Sequence, residues 1–275
     1  MSTLAIAAVL LVLLLVLLMG GVWIALALAA VAWVGLQFFT STPPDVNLFQ
    51  SFWGSSASWT LAALPLFIWM GEILYRTKLS EEMFKGLAPW LTWLPGRLMH
   101  VNVLACGIFG TVSGSSAATC ATIAKVALPE LKARGYDEKT CLGSLCGAGT
   151  LGILLPPSII MVVYAVAAEV SILKVFIAGI LPGVLLMALF SGYIIWWAWR
   201  NPGKTPVETI TYTFRQKLYL SRNLIPCVVL IVFIVWVMVM GWATATEAAA
   251  FGVLGALGIA WMSGGLDREI GRAHV

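Results

Sequence analysis

Leu4–Met19 is an unbroken apolar run, and after Gly20-Gly21 a second one covers Val22–Phe39. Further apolar stretches at Trp59–Tyr75, Ser158–Ala168, Ile172–Trp199, Asn223–Met240 and Thr246–Met262 predict more helices. The long ones approach the roughly 20 residues that cross about 30 Å of hydrocarbon. No Lys or Arg precedes Arg76, so Leu4–Met19 lacks the basic start of a signal peptide and is expected to be a retained span. Asp45–Trp59 and Ser80–Leu94 mix Trp53, Trp59, Trp90 and Trp93 with small and charged residues. That pattern suits amphipathic helices lying in a membrane interface, or plain aromatic anchoring.

Where the cations fall gives the spans a direction. Arg76, Lys78, Lys85 and Arg97 share one connection; Lys125, Lys132, Arg134 and Lys139 share a second; Arg200, Lys204, Arg215, Lys217 and Arg222 share a third. Thr40–Ser58 and Gly241–Ala245 have none, and Lys174 is the exception. With the three basic connections cytoplasmic, the N-terminus lies outside. Arg97–Lys125 then starts and ends on the same side, so it must enter and return as a re-entrant hairpin. Its tip is expected near Gly110–Ser116, with the first arm ending at Ile108–Gly110 and Ser115 or Ser116 capping the second. The next segment, CLGSLCGAGTLGILLPPSIIMVVYAVAAE, places Gly147, Gly149, Gly152 and Pro156-Pro157 in mid-span, where they should break the helix. Backbone groups freed in this way cannot face lipid; they must be buried in protein or line a wet cavity.

Composition agrees: 61% of the 275 residues are hydrophobic and 10% are charged, with a mean hydropathy of +0.97. A multi-span all-α membrane protein has this balance and a soluble domain does not. A net charge of +4 without a basic face argues against a nucleic-acid partner. The five cysteines, Cys106, Cys120, Cys141, Cys146 and Cys227, fit neither a zinc nor a disulfide spacing and are expected to be small buried residues. Residues 270–275, IGRAHV, look foreign to the rest, and the natural chain is expected to continue past Glu269. Gly20–Trp33 and Gly241–Trp261 echo each other weakly and run in opposite directions in this topology, as inverted repeats would.

GTVSGSSAA, GAGTLGILLPPSI, GILPGVL (Gly179–Leu185), TATEAAA (Thr244–Ala250), LPLFIWMGEIL (Leu64–Leu74) and GYDEKTCLGSLCGAG occur in an order and spacing that resembles the large membrane subunit of tripartite ATP-independent periplasmic (TRAP) transporters, across Gly20–Gly264. The resemblance implies an elevator-type fold of the ion-transporter superfamily, holding the first inverted repeat and the start of the second. It implies scaffold spans in 1–75, an interfacial arm helix in 76–96 and half of a transport domain in 97–200. That half contains the hairpin 97–125, the broken helix 140–169 and the span 172–199. A cytoplasmic connection, 201–222, and the first spans of the second repeat, 223–269, follow. The implied activity is sodium-coupled import of a carboxylate, with a small membrane subunit and a periplasmic binding protein as partners. Sodium is the coupling ion and no other cofactor is implied. The sequence has no Walker-type phosphate loop, in keeping with transport without ATP.

On this resemblance Ser113, Gly114, Ser115 and Ser116 of the hairpin, with Gly149, Thr150, Gly152, Pro156 and Pro157 of the broken helix, are the candidate ion and substrate contacts. Sodium takes oxygen ligands, which Ser and Thr hydroxyls and freed carbonyls supply, Ser113, Ser115, Gly149, Thr150 and Gly152 foremost. The second arm's N-terminus would offer N–H groups to a carboxylate. A Gly/Ser cluster standing alone would equally suit close helix packing. Glu247 follows Thr244 and Thr246 at a helix start and is expected to cap it. An intramembrane serine hydrolase is disfavoured, because Ser113-Gly114 has the wrong spacing and the histidines are only His100 and His274. A carboxylate carrier of the same superfamily that needs no binding protein would carry the same features.

Overall fold

The computed structural model describes residues 2–77, 79–206, 212–222 and 224–263. Lys78, residues 207–211 of the third basic connection, and the tail 270–275 lie outside the described residues. The described residues are helical throughout, with no strand among them. They form two compact units, Met1–Ser58 and Trp59–Val275.

The first unit holds α1 (Thr3–Met19), α2 (Ile24–Phe39) and α3 (Pro44–Ser56). Gly21, at φ 75°, turns the chain between α1 and α2, and the two helices pack on each other. Only Ala27 is buried in the unit's helices, while Leu4, Leu11, Val16, Trp23 and Phe38 stand exposed. So much outward apolar surface is untenable in water and ordinary in lipid.

In the second unit a 3-10 turn, Trp59–Ala62, leads into α4 (Ala63–Arg76). The chain continues through α5 (Leu79–Leu91), α6 (Met99–Ser113), α7 (Ser116–Ala133), α8 (Glu138–Gly149), a 3-10 turn over Thr150–Ile153, α9 (Ile159–Ala167) and α10 (Ile172–Arg200). After a 3-10 turn at Pro202–Lys204 come α11 (Phe214–Ser221), α12 (Ile225–Val239) and α13 (Ala245–Met262). Among the described residues, α10 and α13 are long and apolar enough to cross a membrane. α10, with 29 residues, is about 43 Å long.

α6 is the centre of this unit. Nearly every residue from Met99 to Val112 is buried, against α4, α5, α7, α8 and α10. Such enclosure requires small residues where backbones meet. A side chain on Gly71 of α4 would stand 2.5 Å from the Val112 carbonyl oxygen of α6. α13 lays Ala248, Ala249, Gly252, Val253, Ala256 and Ala260 into the core, with Gly252 against Met70 of α4 and Ile234 of α12. Asn102 ties α6 to α8 by donating to the Ser144 hydroxyl at 2.9 Å.

α6 and α7 form the expected hairpin, with only Gly114 and Ser115 between them. Its open end is closed where the Leu98 N–H, just before α6, donates to the Tyr136 hydroxyl just after α7, at 3.4 Å. Two boundaries differ from expectation. The first arm does not stop at Ile108–Gly110 but runs to Ser113, because Gly110 serves packing and leaves the helix unbroken. The second arm passes through Pro129 to Ala133. Of the expected helices Asp45–Trp59 and Ser80–Leu94, α3 and α5 form the larger part but end at Ser56 and Leu91, short of Trp59 and Trp93. The predicted break in 140–169 spans Thr150–Ser158, between α8 and α9, while Gly147 and Gly149 remain helical.

Candidate functional site

Four helix ends meet at the hairpin tip. α6 stops at Gly114, whose left-handed φ of 59° gives the helix its C-cap, with the Gly114 N–H donating to Gly110 O at 2.9 Å. α7 starts one residue later with Ser115 as its N-cap, the Ser115 hydroxyl accepting from the Ala118 N–H at 3.4 Å. The broken segment then packs into the hairpin at three places. A Cβ on Gly110 would lie 2.5 Å from Gly152 Cα; one on Gly149, 2.9 Å from Cys120 Cβ and 3.3 Å from Ser116 O; one on Gly114, 2.7 Å from the Ile159 side chain that opens α9. So the C-terminal ends of α6 and α8 and the N-terminal ends of α7 and α9 share one neighbourhood.

The polar side chains here are unevenly satisfied. The Ser113 hydroxyl bonds the Thr119 hydroxyl, donates to Ser115 O at 3.3 Å and accepts from the Ser115 N–H at 3.4 Å. Thr150 is exposed and donates to Gly147 O at 2.7 Å. Among the described residues Ser116 Oγ and Ser158 Oγ are buried here without a hydrogen-bond partner, as is Thr122 Oγ1 further along α7. Ser158 is 0% exposed and is the N-cap of α9, yet its side chain makes no capping bond. A buried hydroxyl left unpaired costs about 1–3 kcal/mol, so each demands an explanation. Pro156 and Pro157 are buried and joined by a cis peptide bond. Pro156 faces the other way, lining an apolar cavity of about 490 Å³ with Gly107, Thr111, Leu155, Met187 and Trp236.

The structure thus gathers Ser113, Gly114, Ser115, Ser116, Gly149 and Gly152 around one point, sets Thr150 at its edge and turns Pro156 onto an apolar wall. Sequence reasoning missed Ser158 and Thr119. The signal for Ser158 was present, since a serine between Pro-Pro and an apolar run is an N-cap pattern. Chemically, C-terminal helix ends and hydroxyl oxygens favour a hard cation, while N-terminal ends favour an anion. Both kinds of end occur here side by side.

Away from the tip, Glu247 forms a capping box with Thr244: the Thr244 N–H donates to Glu247 Oε2 at 2.8 Å and the Glu247 N–H to Thr244 Oγ1 at 3.4 Å. Glu72 pairs with Arg76 at 2.7 Å. The cysteines divide. Cys106, Cys141 and Cys227 are buried as expected, whereas Cys120 is only partly covered and Cys146 is exposed.

The family model for the tripartite ATP-independent periplasmic transporter, DctM component, matches residues 11–275. The chain belongs to the DctM family. It is 35% identical over 207 residues to the C4-dicarboxylate TRAP transporter large permease DctM of Pseudomonas aeruginosa, covering 74% of this chain and 46% of that protein. It is 33% identical over 187 residues to the ectoine/5-hydroxyectoine large permease UehC of Ruegeria pomeroyi (68% and 44%). It is 30% identical over 231 residues to the isethionate permease DctMQ of Oleidesulfovibrio alaskensis (84% and 36%). The chain therefore spans about half the length of the curated relatives it matches. The DctM family is one of multi-pass permeases of the bacterial inner membrane, not of enzymes.

Proposed function

We propose that this chain is part of the large permease of a sodium-coupled TRAP transporter, importing a small organic acid handed over by a periplasmic binding protein, with a small membrane subunit beside it. The meeting of four helix ends around the unpaired Ser116 and Ser158 hydroxyls carries the reading. Discontinuous helices that present dipole ends and freed carbonyls at one point are how secondary transporters hold ions and substrates.

In this reading sodium is a co-transported substrate. The donors that fit it are the Ser113, Ser116 and Ser158 hydroxyls and the backbone carbonyls of Ser113 and Ser115 at the hairpin tip and of Gly149, Thr150 and Gly152 at and beyond the end of α8. All are oxygens, and none brings a full negative charge into the membrane. The N-terminal ends of α7 and α9 would receive the acid group, Ser115 being already committed to its cap. The substrates in the relatives' names, C4-dicarboxylates, ectoines and isethionate, support a small anionic or zwitterionic acid. The α6–α7 hairpin is re-entrant and, with α8–α10, belongs to a moving domain. Residues 1–75 form scaffold, α5 is an interfacial arm, and α12 and α13 open a second, inverted repeat.

The test is uptake of labelled organic acids into proteoliposomes holding the full-length permease and its small subunit. Uptake should need an inward sodium gradient and added binding protein. Uptake that ignores sodium would overturn the coupling. Uptake at full rate without binding protein would establish the binding-protein-independent carrier instead.

A further inference from the structure

Thr119 of α7 is 0% exposed, and its hydroxyl meets the Ser113 hydroxyl of α6 at 2.5 Å, across the hairpin tip. Among the described residues this is the one hydrogen bond of the Thr119 side chain. Ser113 does not bond back along its own helix, as Thr111 does to Ile108 O at 2.7 Å. It reaches forward instead, to Thr119 and, at longer range, to Ser115 O at 3.3 Å and the Ser115 N–H at 3.4 Å. Thr122, one turn further along α7, is also buried at 7% exposure, and its hydroxyl has no partner. The two threonines therefore share a helix and a buried setting and differ in what their oxygens touch.

We infer that Thr119 is a positioning residue for sodium: it accepts the Ser113 proton and so presents the Ser113 oxygen to the ion. A hydroxyl has one proton and two lone pairs, and the Ser113–Thr119 bond admits either direction. If Thr119 donates, the Ser113 proton falls to Ser115 O, and the Ser113 lone pairs are taken by Thr119 and by the Ser115 N–H. If Ser113 donates, only the long contact from the Ser115 N–H competes for those lone pairs, and a cation can use them. A helical threonine can place its own proton on the carbonyl one turn back, which for Thr119 is Ser115 O, so its hydroxyl is provided for. Positive charge at the tip repels the Ser113 proton and selects this second arrangement. Ser113 is then a ligand whose direction is set from the opposite arm of the hairpin. The inference rests on the sodium-coupled reading and names a residue that acts on the ion only through Ser113.

The experiment measures uptake of a labelled organic acid against sodium concentration, in proteoliposomes holding the full-length permease and its small subunit with binding protein supplied. Thr119→Val keeps the shape and removes the hydroxyl. It should raise the half-saturating sodium concentration about fivefold or more, while the rate at saturating sodium stays within about twofold of the parent. Thr119→Ser keeps the hydroxyl and should return half-saturation to the parent value. Thr122→Val removes a hydroxyl that touches nothing and should leave half-saturation unchanged. Thr119→Ala repeats the first arm should valine fail to fold. With a sodium-dependent parent, four results would each overturn this inference alone. These are Thr119→Val matching the parent, Thr119→Ser as impaired as valine, an equal rise in Thr122→Val, or a lowered rate at saturating sodium with half-saturation unchanged, which marks a merely structural residue. A parent indifferent to sodium would overturn the coupling, and the inference with it.

Discussion

Gly110→Ala places a methyl group where no room exists. Its Cβ would stand 2.5 Å from Gly152 Cα and 2.8 Å from Gly152 N, and both obstacles are backbone, not a side-chain tip that can swing aside. Reaching ordinary contact at 3.4 Å requires the α6 and Thr150–Ile153 backbones to part by about 0.9 Å. Overpacking of this kind costs about 1–3 kcal/mol. In a chain of this size each kcal/mol lowers Tm by about 2–4 °C, so a drop of about 2–12 °C is expected. Gly143→Ala is the control. It lies inside α8 with nothing within 4 Å of its prospective Cβ, so the helix gains about 0.5–1 kcal/mol from the change. Thermal unfolding of both variants in detergent, with and without sodium, reads the two effects together. Gly110→Ala should also lose any sodium-dependent rise in Tm, because the parted backbones carry the proposed donors. A Gly110→Ala protein as stable as the parent would mean that the hairpin and the break do not meet here, and the site argument would fail with it.

Three further outcomes are expected. Ser158→Ala should weaken sodium dependence of uptake at least tenfold if its oxygen is a donor; unchanged dependence with equal or higher Tm would show an orphan hydroxyl whose removal relieves a desolvation cost. Thr244→Ala removes a helix N-cap and should cost about 1 kcal/mol in thermal unfolding while leaving the sodium response intact; a changed sodium response would move Glu247 and its cap into the site. Asp137, the N-cap of α8, is held below the usual carboxylate range because the Thr140 hydroxyl and N–H both donate to it. Its folded-state value being the lower one, its contribution is complete above the ordinary carboxylate value of about 4 and fades as pH falls below it. Asp137→Asn should therefore flatten that acid limb of a Tm-versus-pH curve, and an unchanged limb would show that the cap does not matter.

The hairpin was legible because two independent signals agreed: cations at both ends of 97–125 and a Gly-Ser cluster between them. The break was legible because Pro156-Pro157 cannot continue a helix. Boundaries were harder, and for one physical reason. Glycine at helix-breaking density carries two meanings that sequence does not separate. Gly114 ends a helix because it takes up a left-handed conformation. Gly110 and Gly149 sit inside helices because another backbone presses on them. Pro129 is the converse case, a residue that commonly ends a helix but lies inside α7. A proline costs a helix the bond to the carbonyl four residues earlier, at Lys125, but its ring is tolerated where the rest of the arm is held by packing. Ser158 and Thr119 escaped notice because neither lies in a cluster. Ser158 carried an N-cap pattern, but its buried, unpaired oxygen and the Thr119 bond to Ser113 appear only in the fold.

The two meanings of glycine belong together at this place. A helix end can offer its dipole and its unpaired carbonyls only to something that comes close, and an intervening side chain would hold a second helix end about 3 Å further off. Gly110 against Gly152, and Gly149 against Ser116 and Cys120, remove that spacer. The packing glycines are thus what allows the ends made by Gly114, Ser115 and Ser158 to lie close together, as the proposed site requires. It follows that alanine at a packing glycine and alanine at an end-forming serine should harm the same sodium response by different routes. Gly110→Ala should do so with loss of stability, Ser158→Ala without it. Combining the two should add little further loss of sodium dependence, since the second change acts on a point already lost.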